Sequence, residues 1–166
     1  MIRPVLLVPD ARLKQVCAPV EVFDDALRQL VRDLEDTRAA SPGCVGIAAS
    51  QIGAMVRVAI VDTSQHKKFG TDSHGHMVLI NPQIAARSGE RLGREGCLSL
   101  PDFTANVRRA MSVVVRFQDE SGAWHELDTE DFEAVVVQHE LDHLDGILFL
   151  DRVANLATDV FRRKSK

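Results

Sequence analysis

His139-Glu140-Leu141-Asp142-His143 places two histidines four residues apart around a glutamate. Residues i and i+4 stand above one another on a helix, so both imidazoles can reach one cation from the same face. The surrounding residues predict a helix from about Thr129 to Leu144, with Phe132, Val135, Val136, His139 and His143 near one face. Gly146 follows as its stop. Two imidazoles around a carboxylate on a core-facing helix are hard to explain by packing, because buried polar groups need partners. They point to a metal site. Glu140 would stand beside a water on that cation, placed to take its proton and later deliver it to a leaving amine.

A catalytic metal site normally has three protein ligands and one open position, so the pair is incomplete. Phe149 stands where a metzincin has its third histidine, and no glutamate follows Glu140 as in thermolysin-like enzymes. The remaining candidate lies upstream, in Glu95-Gly96-Cys97-Leu98-Ser99. A thiolate suits a borderline-soft divalent metal, and the metal keeps the thiol deprotonated. Gly96 permits close backbone approach, and Pro101 stiffens the segment just after. Cys17 and Cys44 have no such partner, and Cys17 reads as a packing residue. Farther upstream, Val45-Gly46-Ile47-Ala48-Ala49-Ser50-Gln51 is rich in small residues, which let a ligand or strand lie against the main chain. Gln51 is an uncharged donor suited to charge developing on a carbonyl oxygen.

Elsewhere, Asp24 caps a predicted helix to about Ala40, with Leu27, Leu30, Val31 and Leu34 as its apolar stripe and Pro42-Gly43 as its end. Met55 to Val61, Met77 to Ile80, Val113 to Phe117 and Trp124 to Leu127 read as strands, the last two joined by a hairpin turn at Asp119 to Gly122. Thr63 to Gly75 reads as an exposed polar loop, and a short third helix is expected after Asp151. Strands in the middle and helices at both ends predict an α+β fold, antiparallel sheet packed on a central metal-binding helix.

The 166 residues, 45% hydrophobic and 27% charged, fit a single domain over residues 1–166 with a sizeable core. A net charge of −4 argues against DNA or other nucleic acid as a dedicated partner. Three cysteines without framework spacing suggest a reducing compartment. Residues 39–56 carry no charge, but Pro42, Gly43, Gly46, Gln51 and Gly53 break them up, so no membrane span is expected. The apolar start, Met1 to Pro9, is short and lacks a cleavage signal. A soluble, cytoplasmic protein is the expectation.

Taken in order, the small-residue segment ending in Gln51, the Glu95–Ser99 motif and the His139–His143 motif resemble the peptide deformylase family. Pro9 to Leu13, Asn81-Pro82 and Gly146 to Asp151 extend the resemblance over nearly the whole chain. It implies a hydrolase that removes formyl from N-formylmethionyl peptides, with one divalent metal held by Cys97, His139 and His143. The family points to iron(II) as the native ion; zinc, nickel and cobalt also suit the donors. The resemblance makes Glu140 the general acid/base and gives the oxyanion to the Gln51 side chain and the Leu98 backbone N–H. Val45 and Gly46 would be the strand edge that pairs with the peptide, and Phe132, Val135 and Val136 would line the methionine pocket. Glu95 and Arg109 would form a buried ion pair bracing the cysteine strand. Two positions depart from the family pattern: Cys44 stands for the first glycine of the opening motif, and Thr104 for an arginine. The last ten residues carry 4 − 1 = +3 charges, a basic tail suited to transient ribosome contact. Size and charge fit a monomer. A metallopeptidase on the same helix, or a silent peptide-binding relative, are the rival readings.

Overall fold

The structure is a computed structural model that describes residues 1–70 and 73–163. Among the described residues, two helices, α1 (Asp25–Ala39) and α2 (Asp131–Leu144), accompany eight strands. The strands are β1 (Gly46–Ala48), β2 (Val58–Val61), β3 (Met77–Ser88), β4 (Arg91–Cys97), β5 (Leu100–Arg109), β6 (Ser112–Gln118), β7 (Trp124–Glu130) and β8 (Val160–Arg162). They form a five-stranded sheet in the order β1-β2-β3-β6-β7 and a three-stranded sheet in the order β4-β5-β8. Every ladder is antiparallel.

The alternation of side chains along β2 and β3 divides the core in two. Val58, Ile60 and Ile80 face α1 and meet Leu27, Val31 and Leu34. Val61 and Leu79 point to the other face, where Val113 and Val115 join them against Ala134, Val137 and Leu141 of α2. Strands covered on both faces read as continuous apolar runs, as Val58–Val61 does. Asp24 caps α1 as expected, accepting a hydrogen bond from the Leu27 N–H at 3.0 Å.

Every residue from Glu133 to Leu144 is buried, which makes α2 the axis of the molecule. It starts two residues later than expected because Thr129 and Glu130 complete β7, paired with Val113 and Ser112. It ends in a tight reversal at Gly146 (φ 74°). The Gly146 N–H donates to the His143 carbonyl at 3.1 Å and the Ile147 N–H to the Asp142 carbonyl at 2.9 Å. A Cβ at Gly146 would stand 2.6 Å from the Lys14 carbonyl oxygen, so only glycine fits there.

The expected C-terminal helix is not formed. A single 3-10 turn, Phe149–Arg152, follows α2, and the chain then returns as β8 on β5, with Thr104 opposite Phe161. The Asn155 side chain accepts a hydrogen bond from the Ala157 N–H at 2.9 Å, a local turn that competes with helix. Val160 joins Phe149, Ala105 and Val107 in a small apolar cluster, which favours the strand. Lys164 to Lys166 of the basic tail lie outside the described residues. Among the described residues, no helix is long and apolar enough to cross a membrane.

Candidate active site

α2 presents His139 and His143 to the end of β4, where Cys97 sits. One ligand atom from each of the three lies within 4.8 Å of the others. Cys97 Sγ is 3.3 Å from His143 Nε2, and the two imidazole centroids are 5.1 Å apart. His139 Nδ1 is 2.8 Å from Glu95 Oε1, which fixes the ring and leaves Nε2 for the cluster. Burial pushes the His143 imidazole well below its ordinary pKa and keeps it neutral, a lone pair in hand. Burial acts on His139 too, but hydrogen bonds to Cys97 and Glu95 outweigh it and push that ring well up. A trio of one half-buried sulfur and two buried imidazoles, their ligand atoms gathered around one point, fits a divalent cation.

Glu140 is buried on the same helix, and its Oε1 has no hydrogen-bond partner among the described residues. Burial pushes its carboxyl up to about 7. Its other oxygen lies under Gly46, where a Cβ would approach within 2.5 Å. The glycine is therefore a requirement of close approach: the edge of β1 rests on the carboxylate. The Val45 carbonyl accepts from the Asp62 N–H on the β2 side at 2.8 Å, so by alternation the Gly46 N–H and C=O face the opposite way, into the groove. Cys44 has an ordinary backbone, because Gly43 (φ 76°) takes the left-handed position. Its thiol donates to the Gly46 carbonyl at 3.1 Å, and burial pushes it up to about 12.

Gln51 lies on a 3-10 turn, Ala49–Ile52, just after β1. Its Oε1 accepts from the Ala48 N–H at 2.9 Å, which turns the amide nitrogen toward Ser99 Oγ at 3.1 Å and Cys97 Sγ at 3.4 Å. Leu98 occupies the turn between β4 and β5 and lines the same groove. Behind the cysteine strand, Arg109 grips Glu95 with two hydrogen bonds of 2.9 and 3.0 Å, the pair expected from the resemblance. Arg109 also binds Asp142, which Arg152 clamps at 2.8 and 2.9 Å. Asp142 is thus a structural anion in the middle of the histidine motif, a role its sequence position did not disclose.

The groove has a volume of about 1010 Å³, and Val45, Gly46, Phe132, Val135 and Val136 all line it. So do His66 and Phe69, which the sequence assigned to an exposed loop. Phe69 stacks on Phe132 with centroids 4.7 Å apart, and His66 lies 4.6 Å from Phe132. A lone aromatic in a polar loop was the available signal for this wall. Thr104 sits in β5 opposite Gly96, with the Arg163 guanidinium beside both.

The sequence profile described as polypeptide deformylase matches residues 2–159. A peptide deformylase of Zymomonas mobilis is 41% identical over 162 residues, covering 97% of this chain and 91% of that protein. The crystal structure of a peptide deformylase from Legionella pneumophila superposes with a TM-score of 0.85 at 39% identity, covering 94% of this chain and 88% of that one. A class I type b peptide deformylase from Acinetobacter baumannii, bound to Met-Ala-Ser, gives a TM-score of 0.85 at 36% identity, covering 92% and 99% of the two chains. With the ordered motifs converging on one groove and relatives matched along nearly its full length, the chain belongs to the peptide deformylase family.

Proposed function

We propose that residues 1–166 form one catalytic domain in which Glu140 moves the proton, while Gln51 and Leu98 stabilise charge on the formyl oxygen. The reaction is that of the family: hydrolysis of the formamide on an N-terminal formylmethionine, giving formate and a free amine. The observation that carries the assignment of roles is the unpartnered, buried Glu140 carboxylate beside the Cys97–His139–His143 cluster.

A divalent cation on Cys97, His139 and His143 would supply a Lewis acid for the formyl oxygen and bring the pKa of a water to about 7. Glu140, raised to about 7 by burial, is poised both to accept a proton and to return it to the departing amine. The Gln51 amide is held in one orientation by Ala48, so its N–H groups need no reorganisation as charge builds. The Gly46 edge offers a donor and an acceptor to an extended peptide, which supports main-chain recognition with tolerance of sequence. The pocket of Phe132, Val135 and Val136, closed by Phe69, receives the methionine side chain. Iron(II) is our choice for the native ion, supported by the family resemblance, with zinc, nickel and cobalt also suiting the donors. We further infer a cytoplasmic monomer that makes transient ribosome contact through its basic tail.

Glu140→Ala is the direct test, assayed on formyl-Met-Ala-Ser with metal content measured in parallel. Turnover should fall about 10²- to 10⁴-fold with the metal retained. Wild-type turnover in that variant would remove Glu140 from the chemistry, and equal cleavage of unformylated peptides would favour a peptidase instead.

A further inference from the structure

The groove is cationic although the chain as a whole carries a net charge of −4. Arg91, Arg94, Arg163 and Lys68 line it. Arg94 stacks on the Phe161 ring at 3.7 Å and bonds only neutral partners, Asn106 at 3.2 Å and Thr104 at 3.4 Å. Arg163 comes from the end of β8, with its N–H donating to the Asp102 carbonyl at 2.8 Å. Its guanidinium lies over Gly96, so close that a Cβ there would stand 2.3 Å from Nη2. Gly96 is the residue before Cys97, which puts a positive charge one residue from the metal cluster. Among the described residues, none of these four cations has a carboxylate within ion-pair distance. The carboxylates of the groove do not neutralise them. Glu95 is taken by Arg109 and His139, Glu140 is buried under Gly46, and Asp102 is exposed and forms no ion pair among the described residues.

We infer that Arg163, with Arg94 behind it, is a specificity determinant that selects peptides carrying an acidic side chain shortly after the formylmethionine. A peptide lying on the Gly46 edge runs between β1 and the Gly96 stretch, so its following residues pass the Arg163 guanidinium. A guanidinium that already rests an Nη2 against the strand, with no carboxylate in ion-pair distance among the described residues, can form a paired hydrogen bond with an incoming carboxylate. The groove is open to water, so the expected gain is modest and sensitive to salt. This rests on the deformylase reading for the direction in which the peptide runs.

The test uses the metal-loaded full chain and C-terminally amidated peptides, formyl-Met-Ala-Ser with aspartate or lysine substituted at position two, three or added at position four. One aspartate position should raise kcat/KM about three- to fivefold over its lysine counterpart. That ratio should shrink as salt rises from about 0.05 to about 0.5 M. Arg163→Gln should abolish the preference, Arg163→Lys should keep part of it, and Arg163→Glu should reverse it. Binding of the corresponding unformylated peptides by calorimetry gives the same comparison without turnover, so a failure of catalysis is distinguishable from a failure of this selectivity. Equal affinities for the aspartate and lysine peptides overturn the inference, as does an advantage seen only with a free C-terminal carboxylate, or a preference that survives Arg163→Glu.

Discussion

At Gly46 a missing side chain decides how close the edge of β1 comes to the Glu140 carboxylate. A Cβ at that position would sit 2.5 Å from the Glu140 carboxylate, so Gly46→Ala must push either the strand or the glutamate aside. Displacing a reacting group by about 1 Å can cost about a hundredfold in rate. The expected outcome for Gly46→Ala is a loss of that order in kcat with the metal still bound, checked by elemental analysis beside the deformylation assay. An unchanged rate would show that Glu140 has slack in its position. Cys44, two residues earlier, holds the same residue through its backbone, its thiol donating to the Gly46 carbonyl. With its thiol held near 12, it sits there as a protonated donor rather than as a nucleophile.

Among the elements, α2 and β4 depend on one another through Glu95. Burial alone would raise that carboxyl, but hydrogen bonds from His139 and Arg109 prevail and hold it at about 2, against an ordinary 4.5. A carboxyl more acidic in the fold than in the unfolded chain stabilises the fold above pH 4.5. That contribution is lost as pH falls toward about 2, when the folded carboxyl also protonates. Glu95→Gln should destabilise the protein by about 3–5 kcal/mol at neutral pH, because Arg109 then keeps a buried charge against Asp142 alone. It should also flatten the acid limb, seen by following Tm from pH 6 down to about 3. An acid limb as steep as that of the wild type would mean that other carboxylates set it. The sequence disclosed α2, because a periodic apolar face with histidines four apart is a local pattern. It disclosed Cys97 through the incomplete ligand set. β4 and β5 stayed hidden as strands because Gly93, Glu95 and Gly96 in the one and Pro101, Asp102 and Asn106 in the other interrupt the apolar alternation that marks a strand. β8 was hidden because three residues become a strand only when β5 supplies the partner. His66 and Phe69 form a wall of the groove through contact with Phe132, more than sixty residues away, which no local pattern encodes.

For the molecule as a whole, the cluster is a junction. Cys97 belongs to the three-stranded sheet, whereas His139 and His143 belong to the helix packed on the five-stranded one. A cation bound there ties the two sheets together, and whatever binds only the folded state stabilises it. Stripping the metal with a chelator should lower Tm by about 5–10 °C relative to protein with about a hundredfold excess of the ion over its Kd. Hydrogen exchange should then quicken in β4 and β5 and stay slow in β2 and α1. Uniform loosening of both sheets would show that the junction is not where the metal acts.

β1 is the outermost strand of its sheet, yet its free side opens into a groove rather than onto bulk solvent. Unpaired sheet margins ordinarily invite stacking between molecules. Here the margin is recessed among the groove's other lining residues, Phe69, Gly96 and Phe132 among them, and a recessed margin is a poorer template for a second copy's sheet than one on open surface.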